Sequence, residues 1–126
     1  MYKLFLDDRR TLIEVYNYTK NEIYLDDWVI VKNYKEFTEY ILENGLPSLI
    51  SFDHDLADIH YIMNNGDTID YSEYEEKTGY SCASWLVDYC IDNRVKLPDY
   101  LIHSMNDVGG INIRYLLENY KRYINM

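Results

Sequence analysis

Four short apolar runs constrain this chain more than any other feature, because segments of helical or turn-forming character separate most of them. The runs are Lys3–Leu6, Trp28–Val31, Ser48–Phe52 and Tyr100–His103. Each is too short for a core helix and rich in branched and aromatic residues, as expected of strands buried on both faces. After the second run, Asn33 is placed to cap a helix with Glu36 three residues on, and Tyr34, Phe37, Ile41 and Leu42 recur at helical spacing. Asn44-Gly45 and then Pro47 supply its stop signals. Between the third and fourth runs, Ser81–Asn93 lines up Cys82, Trp85, Leu86, Tyr89 and Cys90 on one helical face. Beyond the fourth, Asn106–Gly110 reads as a turn and Ile111–Ile124 as an amphipathic helix, with Ile113, Leu116, Leu117, Tyr120 and Ile124 inside. Thr11–Lys20 is ambiguous, and Asn21–Asp27 reads as a loop. Strands that alternate with helices call for crossover connections, hence an α/β fold with a mainly parallel sheet.

At 126 residues the chain fits one domain, residues 1–126, with a polar and acidic insert at about 57–78. That insert, with its Asn64-Asn65-Gly66-Asp67 turn and Glu73, Glu75 and Glu76, is either a short added element or a lid. The formal net charge of −10 opposes a phosphate backbone, which argues against broad binding to duplex nucleic acid. A small phosphorylated ligand met by a local cation or a few basic groups is compatible with it. Cys82 and Cys90 lie about 12 Å apart along a straight helix, beyond disulfide reach, and suit a reducing compartment. The N-terminal apolar run is too short for a signal peptide and nothing approaches a membrane span, so the expected location is the cytoplasm.

In open α/β sheets ligands collect at the carboxyl ends of the strands, and three of these strands end in polar clusters. Asp7-Asp8, followed by Arg9 and Arg10, suits a hard cation of the Mg²⁺ type, with Arg9 within reach of a phosphate; the alternative is a solvated loop whose acid pairs with a neighbouring base. Because side chains alternate along a strand, both aspartates converge only if the chain has already turned into its loop. Asp53-His54-Asp55 can orient an imidazole for acid–base work, and Asp53 could equally be a metal ligand or a phosphoryl acceptor; short polar turn residues are the alternative. His103-Ser104-Met105-Asn106, with Gly109-Gly110 and Asn112 leading into the last helix, offers a second imidazole, hydrogen-bonding side chains and glycines before a helix N-terminus. His60 has no such company and reads as structural. The chain has no G-x-S-x-G elbow, Walker loop or GxGxxG fingerprint, which weighs against serine hydrolase, triphosphatase and dinucleotide roles.

Taken together, Leu4-Phe5-Leu6-Asp7-Asp8-Arg9, Ile50-Ser51-Phe52-Asp53-His54-Asp55-Leu56, Gly79-Tyr80 ahead of Trp85-Leu86, and His103-Ser104-Met105-Asn106 with Gly109 and Asn112-Ile113 resemble the cyclic-phosphate-processing receiver-like domain family. The resemblance implies a receiver-like (flavodoxin-like) three-layer sandwich of about four to five strands with helices on both faces. By position, Asp7 and Asp8 look like a receiver's metal-binding acidic pair, Asp53 like its acceptor aspartate and Ser104 like its hydroxyl residue. The further strand and lysine of an ordinary receiver are missing, while His54 and His103 are what the cyclic-phosphate family adds. Asp107 stands where that family commonly has proline after the asparagine.

The leading expectation is a metal-assisted phosphodiesterase that opens 2′,3′-cyclic RNA ends or a cyclic nucleotide. Asp7, Asp8 and Asp53 would hold Mg²⁺ or Mn²⁺, with Asp53, His54 and His103 as the catalytic set and Asp55 orienting His54. Arg9, Ser104, Asn106 and Asn112 would bind the phosphate or substrate. The alternatives are a cyclic-nucleotide sensor or sequestering module that does not cleave, and a degenerate receiver acting as a protein-interaction domain.

Overall fold

The computed structural model describes residues 2–53, 78–103 and 107–124, with the side chains of Asp107 and Ile124 excepted. The four apolar runs form strands β1 (Lys3–Leu6), β2 (Val29–Val31), β3 (Leu49–Phe52) and β4 (Asp99–Ile102). They pair entirely in parallel in the order β2-β1-β3-β4. Helices α1 (Leu12–Thr19), α2 (Tyr34–Asn44), α3 (Gly79–Asn93) and α4 (Asp107–Ile124) cover the sheet, with a 3₁₀ turn at Glu22–Leu25. This is the expected α/β receiver-like architecture, with four strands among the described residues.

Pleat alternation divides the core between the two faces. Leu4, Leu6, Ile50 and Phe52 pack against Phe37 and Ile41 of α2, Cys82, Leu86 and Cys90 of α3, and Ile113 and Leu117 of α4. Phe5 and Leu101 point the other way, toward Leu12, Val15 and Tyr16 of α1 and Tyr24 of the 3₁₀ turn. Each fully buried Phe or Leu contributes about 1.5–3 kcal/mol through removal from water. The split follows from crossover handedness. The β1-to-β2 step moves outward to one side and carries α1 on one face. The β2-to-β3 and β3-to-β4 steps move the other way and carry their helices on the opposite face. The winding reverses between β1 and β3, which makes that point the crevice of the sheet.

Local chemistry accounts for the helix ends. Asn33 Oδ1 accepts from the Glu36 N–H at 2.8 Å, the cap expected from the sequence. Thr78 and Ser81 form a reciprocal capping box, so α3 starts at Gly79, two residues before the expected Ser81. The ambiguous Thr11–Lys20 stretch is helical, capped by Thr11 and closed by Lys20 at φ 58°. Asn21–Asp27, expected to be a loop, contains the 3₁₀ turn, and Asn21 caps it.

Two expectations are corrected. Within the expected Asn106–Gly110 turn, residues 107–110 are helical instead, because α4 already begins at Asp107 and Gly109-Gly110 lie inside its first turn. Gly110 serves packing here: a Cβ on it would stand 3.3 Å from Ile102 Cγ2, so its absence lets the helix approach β4. Leu42, grouped with the apolar face of α2, is exposed. Cys82 and Cys90 are both free and buried, as expected. Among the described residues no helix is long and apolar enough to cross a membrane. Of the insert expected at about 57–78, residues 57–77 lie outside the described residues, and Thr78 caps α3.

Candidate functional site

Parallel strands present their carboxyl ends along one edge, and here the ladder continues one residue past three of them. Asp7 N–H donates to the Val31 carbonyl at 3.1 Å, Asp53 N–H to Leu6 at 3.1 Å, and His103 N–H to Phe52 at 3.0 Å. Phe5 is in register with Ser51, and Ser51 with Leu101. Asp7, Asp53 and His103 each follow one of these residues by two positions, so alternation turns all three toward the α1 face. Three distant stretches of sequence thereby meet at the crevice between β1 and β3 and its neighbour β4.

The Asp7 side chain is fully buried. Its Oδ1 accepts from the N–H groups of Arg9 and Arg10, both at 2.9 Å, in the kind of local turn that short carboxylates favour. Its Oδ2 lies 3.1 Å from His103 Nε2. Burial alone would raise the Asp7 carboxyl, but hydrogen bonds from His103 and from the Arg10 and Arg9 backbone outweigh it and hold the group below its ordinary value. Burial also dominates at His103 and pushes it below the ordinary imidazole value, against the pull of Asp7. Asp7 is therefore ionised and His103 neutral near pH 7.

His103 is packed like a core residue. Its ring stacks on Phe5 at 4.7 Å between centroids and meets Tyr24 edge-on at 6.0 Å. Nδ1 lies 2.6 Å from Ser51 Oγ, which in turn lies 2.7 Å from the Tyr24 hydroxyl. Tyr18 of α1 donates its hydroxyl to the His103 carbonyl. Burial pushes the Tyr18 phenol up to about 12 and raises Tyr24 as well, so both remain protonated donors at neutral pH.

Asp7, Asp8 and Asp53 each offer a carboxylate oxygen, all within 4.8 Å of one another. Asp8 lies beyond the ladder, where the chain bends, which resolves how adjacent residues converge. Arg10 is the basic partner of the cluster: its Nη1 lies 3.9 Å from Asp7 Oδ2 and 3.8 Å from Asp53 Oδ1, and its guanidinium lies over the Tyr18 ring at 5.8 Å. Arg9 is instead exposed, with Nε 4.0 Å from Asp8 Oδ2. An all-oxygen donor set of two buried carboxylates and one half-buried carboxylate fits a hard divalent cation such as Mg²⁺ or Mn²⁺. Lone-pair counting agrees. Of roughly four acceptor positions on an ionised carboxylate, Asp7 has two on Oδ1 filled by backbone donors and one on Oδ2 filled by His103. Among the described residues no further hydrogen bond reaches Oδ2, where Arg10 stands at the longer 3.9 Å.

Asn112, expected to contact substrate, lies exposed on α4, in an open groove of about 470 Å³ shared with Tyr80, Tyr115 and Asn119. His54, Asp55, His60, Ser104 and Asn106 lie outside the described residues. Arg10, Ser51, Tyr24 and Tyr18 join the site without a role that the sequence alone assigns them. For Ser51 a signal existed, since a polar residue interrupts an apolar strand two positions before Asp53.

No curated protein and no solved structure matches the chain. A family model described as a cyclic-phosphate processing receiver domain matches residues 2–119, which spans β1 through most of α4 and takes in all three strand ends of the site. With that match over a parallel sheet whose acidic cluster lies at the winding reversal, the chain belongs to the cyclic-phosphate processing receiver domain family.

Proposed function

We propose that the chain is a metal-assisted phosphodiesterase acting on a cyclic phosphate, either a 2′,3′-cyclic RNA end or a cyclic nucleotide. The observation that carries this reading is the convergence of Asp7, Asp8 and Asp53 within 4.8 Å at the crevice of the sheet, with Arg10 beside them. A divalent cation held by these carboxylates would offset charge developing on the phosphoryl oxygens. Arg10, already drawn to the cluster, is placed to meet a phosphate oxygen, and Arg9 is free to swing in from solvent. Ser104, Asn106 and Asn112 would supply further hydrogen bonds to the substrate.

Proton transfer falls to His54, which directly follows Asp53, with Asp55 orienting it. His103 was expected to share that task. Both of its ring nitrogens are engaged within the protein, by Asp7 and by Ser51, so in this reading it positions Asp7. The same observation favours a second reading, in which the pocket captures a cyclic nucleotide without cleaving it.

The test is incubation with a panel of 2′,3′-cyclic nucleotides in Mg²⁺ or Mn²⁺, followed by ³¹P NMR. Ring opening to a phosphomonoester is expected, with loss in Asp53→Asn and His54→Ala. Saturable binding with the ligand recovered intact would establish the second reading. Neither binding nor turnover across the panel would overturn both.

A further inference from the structure

The four groups running inward from the carboxylate cluster form a single hydrogen-bonded file: Asp7 Oδ2, His103 Nε2 and Nδ1, Ser51 Oγ, and the Tyr24 hydroxyl, with separations of 3.1, 2.6 and 2.7 Å. Its members come from the ends or middle of β1, β3 and β4 and from the 3₁₀ turn, and Asp7, Ser51, His103 and Tyr24 are all buried. The direction of the file is decidable. Ionised Asp7 only accepts, so His103 Nε2 carries the proton. The Tyr24 hydroxyl meets Ser51 Oγ and no other hydrogen-bond partner among the described residues, so it donates to Ser51, and the Ser51 hydroxyl in turn donates to Nδ1. Every proton then has an acceptor, and reversing the file would leave the Tyr24 hydroxyl proton with no acceptor among the described residues.

We propose that Tyr24 and Ser51 are positioning residues: by holding the His103 proton on Nε2 they fix the rotation of the Asp7 carboxylate, so that the remaining lone pair on Oδ2 faces the cation position shared with Asp8 and Asp53. The proposal rests on the cation site of the reading above, and it extends that site to two residues that touch neither metal nor phosphate. Partners behind a first ring of ligands commonly set ligand orientation and carry about 10–100-fold of metal affinity. The strand geometry suits the task. Ser51 is anchored in the ladder next to Phe5 and Leu101, and Tyr24 packs against Phe5 and Trp28, so neither hydroxyl can drift.

The experiment compares wild type, Ser51→Ala, Tyr24→Phe and the hydroxyl-preserving Ser51→Thr, each checked for folding by circular dichroism. Two readouts are taken at pH 7.5: the long-range ¹H–¹⁵N correlation pattern of the His103 ring, which reports which nitrogen is protonated, and Mn²⁺ affinity by calorimetry. Wild type is expected to show one tautomer with the proton on Nε2. Ser51→Ala should mix the tautomers and weaken Mn²⁺ about tenfold, with Tyr24→Phe intermediate and Ser51→Thr restored toward wild type. If Ser51→Ala does not fold, Tyr24→Phe carries both readouts, since it removes one oxygen and keeps the ring. Unchanged tautomer and unchanged affinity in a folded variant would overturn the proposal. Failure of wild type to bind Mn²⁺ would instead remove the cation from the proposed function, and the positioning role of Ser51 and Tyr24 with it.

Discussion

Replacing Asp7 by asparagine tests the direction of the buried file, and its consequence can be worked out atom by atom. Asparagine keeps an oxygen for the Arg9 and Arg10 N–H groups, but turns an NH₂ toward His103 Nε2, which itself carries a proton. Two donors cannot share that contact, so the imidazole must move its proton to Nδ1 and donate to Ser51. Ser51 then donates to Tyr24, and the Tyr24 hydroxyl, in a residue only 3% exposed, loses its acceptor. A buried donor left unsatisfied costs about 1–3 kcal/mol, while the bond that Tyr24 makes in wild type is worth about 1 kcal/mol. Tyr24→Phe should therefore destabilise the wild type by about 1 kcal/mol, and should cost little in Asp7→Asn, where it removes the orphaned phenol but passes the missing acceptor on to Ser51. Asp7→Asn also relieves repulsion among the clustered carboxylates, a contribution independent of the file. In a double-mutant cycle that relief cancels, leaving a coupling of about 1 kcal/mol. Urea unfolding of the four proteins at pH 7.5 gives the number. A coupling indistinguishable from zero, within about 0.3–0.5 kcal/mol, would refute the directional file.

Burial depresses the His103 imidazole, so its contribution to stability is fully present above the ordinary value of 6.5 and is lost as pH falls through the lower folded value. Asp7 adds a second loss below its ordinary 3.8. The urea midpoint should drop between pH 7 and pH 5, and His103→Gln should flatten that segment; parallel curves would exclude the assignment. Gly45 ends α2 at φ 81° and ψ −180°, with nothing within 4 Å of a would-be Cβ. Gly45→Ala should therefore destabilise through backbone strain alone, by about 1–3 kcal/mol, and an unchanged urea midpoint would show that the chain relaxes there freely.

The architecture was readable because burial on both faces leaves dense apolar runs, and the alternation of these runs with helices admits few topologies. Asp7, Asp53 and His103 were readable for the same reason: charge directly after a buried strand is conspicuous. Helix α1 was not, because Ile13 and Tyr18 are exposed and blur its periodicity, while Tyr18 answers to a carbonyl 85 residues away. The glycine pair in α4 was read through turn chemistry, although it meets a packing demand set by Ile102. Arg9 and Arg10 are chemically equivalent in sequence, and only the bend after Asp7 decides which one turns inward. Ser51 meets His103 across 52 residues and Tyr24 meets Ser51 across 27, separations that no local pattern encodes.

The backbone bonds from Asp7, Asp53 and His103 to the neighbouring strands have a consequence for how this protein fails. The spacing of these side chains is woven into the sheet itself, so heat or denaturant has no milder way to spread them than to unravel β1, β3 and β4 together. Function should hold steady on warming until the molecule melts, and substitutions that weaken the distant core should lower the temperature of that collapse without dulling the site beneath it.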